Sequence, residues 1–207
     1  MLRNDILTRL IDAILSEDLA VVRACIRNMV GVNEADEEKW TPLAHAIEVG
    51  NMHIVRILVE AGAGIEAAIP DDCSALLLAA YRDHLPLCAY LIRQGADVNS
   101  IDLEGGFPLK AAAENGNHAL LSLLLNSGAD ATSSHGGDGM HALNRAAMDL
   151  HPGCVRVLLE HGVDPNLPDV DDTTALELLL NPAFKWDALP PDMQERRNEI
   201  IEMLSSP

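Results

Sequence analysis

Short aliphatic clusters alternate with polar turns along most of the chain. The clusters read "VVRACI", "IVRILV", "LCAYLI", "LLSLLL" and "CVRVLL", and the turns "AGAGIEA", "QGADVNS", "SGADATS" and "HGVDPNL" follow the last four. A second apolar stretch precedes each cluster. Its start can be stepped from Thr8 to Thr41, Ser74, Phe107, His141 and Thr174, at intervals of 33 residues with one of 34. A leucine stands two residues after each of these starts: Leu10, Leu43, Leu76, Leu109, Leu143 and Leu176. Each period therefore predicts two short helices and a turn. One such unit cannot bury both faces of its helices, so the pattern points to stacked helical repeats.

The residues "TPL" at 41–43, "AA" at 79–80, 112–113 and 146–147, and "GADVN" at 95–99 resemble the ankyrin repeat family, over residues 8 to about 180. The resemblance implies an all-α solenoid of helix pairs joined by hairpin-like fingers, with about six repeats including degenerate caps. On that basis residues 1–207 form a single domain. Residues 4–33 make an N-terminal capping repeat, 34–168 four central repeats, and 169–207 a C-terminal capping repeat interrupted by an insertion at about 181–191.

Departures from the family pattern are also visible. Family repeats usually carry histidine after "TPL", whereas this chain has Ala44, Leu77, Lys110, Asn144 and Glu177, and His45 is displaced by one. Pro86 and Pro152 fall where second helices begin, a position at which a missing N–H costs little. The segment "HGGDG" at 135–139 reads as a flexible finger holding the one extra residue. Beyond the insertion, Asp192 is expected to cap a last amphipathic helix whose Ile200, Ile201 and Leu204 face the core.

Composition sharpens this picture. Apolar residues make up 48% of the chain but aromatics only 3%, so Leu, Ile, Val and Ala do nearly all the packing. Lys and Arg number 14 against 32 Asp and Glu, for a net charge of −18. Such a surface repels nucleic acid and anionic membranes and attracts a basic protein. The stretch "MLRNDILTRLIDAILSEDLA" places Arg3, Asp5, Arg9, Asp12 and Glu17 among its apolar residues, unlike a signal peptide. No run is long and uncharged enough to span a bilayer, and the expected location is the cytoplasm.

The residues that could carry chemistry fit structural positions better. Cys25, Cys88 and Cys154 align with aliphatic positions of second helices and read as buried apolar residues. Cys73 stands beside Asp71 and Asp72, which disfavour a thiolate. His84 and His151 share a repeat position where a structural role is expected. His135 and His141 bracket a glycine-rich loop without a third ligand, a weak metal site. No nucleophile, base and acid are brought together by the period, so neither enzymatic activity nor a cofactor is expected.

Binding is expected on the fingers and the concave helix face, where the family resemblance places partners. Glu38, Asp71, Glu104, Asp138 and Asp171 recur at the finger interval and are expected to form one acidic ridge, thickened by Glu37, Asp72 and Asp172. Trp40, Phe107 and Met140 lie beside it as apolar anchors. The ends of first helices add Glu48, Tyr81, Arg82, Glu114, Met148 and Asp149, and the insertion adds Phe184 and Trp186. Aromatic residues rimmed by charge suit a protein-binding patch, although solvated finger tips are polar whatever they bind. The expected function is a non-enzymatic module, monomeric when unbound, that grips a basic protein. Its pointed form is an inhibitor or immunity protein that neutralises a toxin. The alternative is an adaptor joining two proteins, with the charge serving solubility.

Overall fold

The computed structural model describes residues 3–28, 31–66, 69–135 and 138–205, in which short helices alternate with turns and loops and no β-strand occurs. The chain divides into two compact units, one up to Leu103 and one from Glu104 onward.

In the first unit, α1 (Arg3–Leu15), α3 (Pro42–Val49) and α5 (Ala75–Tyr81) are the first helices of successive pairs. Their partners are α2 (Leu19–Asn28), α4 (Met52–Glu60) and α6 (Leu85–Arg93). Helix α1 packs on α3 and α3 on α5, while α2 packs on α4. The leucines that mark the period line the seam: Leu10, Leu43 and Leu76 are buried, with Ile14, Ile47, Ala79 and Ala80 beside them. Ile54, Val55, Leu58, Leu87 and Leu91 close the core from the second helices.

The second unit repeats the scheme with α7 (Pro108–Glu114), α8 (His118–Asn126), α9 (Ala142–Met148), α10 (Pro152–Glu160) and α11 (Ala175–Leu180). Here α9 packs on both α7 and α11, and α10 on both α8 and α12 (Pro191–Ser205). The alanines at 112, 146 and 147 are fully buried, which lets neighbouring first helices approach closely.

From the second repeat onward the residues that marked the period are the helix N-caps, whereas Thr8 lies inside α1. Thr41, Ser74 and Thr174 each accept a backbone N–H from three residues ahead, and Glu177 reaches back to the Thr174 N–H to complete a capping box. His141 does the same through Nδ1, which accepts the Asn144 N–H. Phe107 occupies the cap position of α7 without a side-chain cap bond, having no acceptor to offer.

Pro86 and Pro152 lie in the first turns of α6 and α10. His84 and His151 precede those helices and reach back one repeat. The His151 Nε2 donates to the Glu114 carbonyl at 3.0 Å. The His84 ring sits over Gly50, so closely that a Cβ there would meet it at 2.8 Å. Gly50 has φ +79, so it serves both the left-handed cap and the close approach.

Helix α12 corrects one expectation. It begins at Pro191, so Asp192 lies inside its first turn and does not cap it; the Pro190 carbonyl accepts the N–H groups of Met193 and Gln194. The pre-set φ of proline starts the helix earlier than a capping aspartate would. Ile200 and Leu204 are buried as expected, but Ile201 is only half-buried. The insertion forms two short 3-10 turns, Pro182–Phe184 and Trp186–Ala188.

Candidate partner-binding surface

The first finger is built around Asp36. One of its carboxylate oxygens accepts the backbone N–H groups of Glu38 and Trp40 at 3.0 and 2.8 Å, and the other meets His45 Nε2 at 2.8 Å. Partial burial pushes the Asp36 carboxyl up, but the bonds from His45 and Trp40 outweigh it and hold the group below the usual carboxylate range. The Trp40 ring packs against His45, with centroids 5.5 Å apart. Displaced His45 therefore fastens this finger. Glu37 and Glu38 are left exposed at its tip and Trp40 half-exposed beside it.

In the second finger Asp71 and Asp72 both adopt left-handed backbone, with φ of 64 and 55, and both are exposed. Aspartate tolerates that conformation better than most residues, but of the recurring acidic residues Asp71 alone adopts it, so backbone geometry does not account for the recurrence. The neighbouring Cys73 thiol is pushed up to about 11, first by burial and then by Asp102 and Asp71.

The third finger lies against the second: the Leu103 N–H donates to the Asp71 carbonyl at 2.8 Å. Leu103 is 72% exposed and Ile101 42% exposed, so this finger carries two aliphatic side chains at the surface. Between them Asp102 accepts a hydrogen bond from the Tyr81 hydroxyl at 2.8 Å. Tyr81, Asp71 and Leu103 are thus joined through short bonds into one region of the first unit. Arg82 and Glu48, both placed among the expected contacts, pair with each other at 2.6 Å.

The second unit changes the expected ridge. Lys110 fills the position where the family has histidine, and although its side chain is only 9% exposed its Nζ donates to Asp138 at 2.6 Å. Arg145 also pairs with Asp138, and lies 3.2 Å from Glu114 and 3.9 Å from Asp149. Burial works to raise the Asp138 carboxyl, but Lys110, the Met140 N–H and Arg145 bring it below the ordinary range. Burial prevails at Asp149, whose carboxyl is raised despite Arg145 and His151. Asp138 and Glu114 are internal ion-pair partners before they can be partner contacts. Asp138 is not a member of an open acidic ridge.

Phe107 is 4% exposed and meets His135 edge-on, with ring centroids 6.1 Å apart, so it is a packing residue and not a surface anchor. Met140 and Met148 are half-buried. Gly136 and Gly137 of the expected flexible finger lie outside the described residues.

The last finger repeats the design of the first. Asp169 accepts the N–H groups of Asp171 and Thr173, and Asn144 donates to both Asp169 and the Thr173 carbonyl. Asp171 and Asp172 are exposed, with Val170 beside them 63% exposed. In the insertion, Trp186 Nε1 donates to the Leu178 carbonyl at 3.3 Å and the Arg197 guanidinium lies 6.0 Å over its ring. Trp186 is thereby tied to the end of α11, which corrects its expected placement outside the packing. Phe184 remains 43% exposed.

Periodicity alone could have found Leu103 and Val170, since they hold the tip position occupied by Glu37 in the first finger. Asp36 and Asp169 share a position too, and their role is to shape the fingers. Among the described residues no group of three or more His, Cys, Asp or Glu side chains could hold a metal ion, and no helix is long and apolar enough to cross a membrane.

The family model for ankyrin repeats (3 copies) matches residues 10–102 and 109–180. No curated protein matches the chain.

Proposed function

Since the chain belongs to the ankyrin repeat family, whose repeats are generally non-enzymatic modules for protein–protein interaction, we propose that it binds a basic protein through its exposed acidic fingers. The observation that carries this reading is the region around Leu103. An aliphatic side chain 72% exposed is fixed by its backbone to Asp71, with Asp72 alongside and the Tyr81–Asp102 pair next to it. Tyrosine is enriched among binding hot spots, and here Tyr81 is held in place beside exposed aliphatic carbon with carboxylates around it. Asp171, Asp172 and Val170 give the second unit a smaller patch of the same kind.

The net charge of −18 would steer a cationic partner toward these patches and raise its association rate more than its final affinity. The pointed form of the proposal is an inhibitor or immunity protein that covers the basic surface of a toxin.

The test is affinity capture from cells of the source organism, followed by binding kinetics with the captured protein. Reversing Asp71, Asp72, Asp171 and Asp172 to lysine should slow association by about tenfold or more at low salt and remove most of its salt dependence. Leu103→Ala should act chiefly on dissociation. A captured partner whose association is unchanged by the reversals would leave the acidic surface a solubility device and the protein an adaptor.

A further inference from the structure

Helix α1 and the first finger enclose an open groove of about 390 Å³. Its apolar lining is half-buried Ile11 of α1 and exposed Ala35, with the edge of buried Leu7, and Thr8 lies among them. Glu37 and Glu38 stand at its rim and are exposed. Asp36 also reaches the groove, but its carboxylate already accepts from two backbone N–H groups and contacts His45. The rim charge that can meet a ligand therefore belongs to Glu37 and Glu38. No lysine or arginine lines the groove among the described residues.

A polar ligand would leave Ile11 and Ala35 poorly covered, and a purely aliphatic one would strip water from two carboxylates without replacing it. A long aliphatic stem ending in a positive charge satisfies both surfaces, with its methylenes on the floor and its head at the rim. We propose that this groove receives a lysine or arginine side chain of the partner protein. The inference rests on the reading of the partner as basic, and it adds a defined anchor point away from Leu103.

The test is an NMR titration of the full chain with acetyl-Lys-Lys-amide. Two control peptides accompany it: acetyl-Nle-Nle-amide, in which norleucine keeps the stem and lacks the charge, and the Nε-acetylated lysine peptide. The lysine peptide should give saturable amide shifts at Leu7, Thr8, Ile11 and Ala35. Both controls should bind at least about fivefold more weakly, as should the lysine peptide to the E37Q/E38Q variant, whose substitutions are at exposed positions. Equal binding of the norleucine peptide in the groove would overturn the assignment of a cationic side chain. Lysine-peptide shifts at Asp71, Asp72 and Asp171, with none in the groove, would overturn the groove and leave the acidic-finger reading in place. No saturable shift anywhere would overturn the groove and weaken the reading it rests on.

Discussion

Asp138→Asn tests whether this carboxylate is an internal staple or a surface contact. The side chain of Lys110 is 9% exposed and that of Asp138 is 31% exposed, with 2.6 Å between the charged atoms. Removing one partner of a fully buried pair costs about 3–5 kcal/mol, because the other charge is left without compensation. Water reaches Asp138, which softens the loss, so the expected cost is about 2–3 kcal/mol. Lys110→Met removes the buried charge itself and leaves Asp138 with Arg145, so it should cost about 1 kcal/mol or less. The double variant should then be no less stable than Asp138→Asn alone.

Thermal unfolding followed by circular dichroism at neutral pH should place Asp138→Asn roughly 5–10 °C below the parent chain. The pH dependence has a definite sign. The folded carboxyl titrates below its unfolded value, so its stabilisation is fully present above the ordinary carboxylate range and is lost as pH falls through the lowered folded value. The variant should lack that part of the acid sensitivity. An Asp138→Asn cost no larger than that of Asp71→Asn, an exposed control, would refute the staple and return Asp138 to the candidate contacts.

Two further outcomes follow from the second unit. Burial lowers the His141 imidazole below its ordinary value against the opposing bond to Leu167 and the charge of Asp169, so the folded protein favours the neutral ring. Its contribution is present above the unfolded value and is lost as pH falls toward the lowered folded one; denaturation midpoints measured between pH 7 and pH 5 should therefore fall less steeply in His141→Thr than in the parent. Gly139 has φ +56, and a Cβ there would overlap Val170, whereas Gly62 has φ +92 with nothing within 4 Å. Gly139→Ala should cost about 2–3 kcal/mol against about 1 kcal/mol for Gly62→Ala in chemical denaturation, and Val170→Ala should recover part of the difference.

The sequence by itself determined the repeat unit and its inward face. A recurrence of 33 or 34 residues located the N-caps Thr41, Ser74 and Thr174, the buried leucines, and the turns that end each pair. These features depend on residues a few positions apart, where hydrogen bonding and side-chain direction follow the helix itself. Such a pattern also shows which positions recur on every finger, and so it found Glu38, Asp71 and Asp171.

Only the tertiary structure decided what those positions do. Asp138 belongs to the same series, yet it is held by Lys110, 28 residues earlier, and by Arg145. Glu48 is matched by Arg82, Phe107 turns inward, and Trp186 folds back on α11. Conversely, Leu103 looks like a core residue by type and, among the described residues, is the most exposed of the large hydrophobic side chains. The physical reason is the same throughout. A charge or ring is satisfied by whatever the fold sets across from it: the adjacent repeat for Asp138 with Lys110 and Glu48 with Arg82, the same repeat for Arg145 and Trp186. A recurrence read along the chain specifies neither.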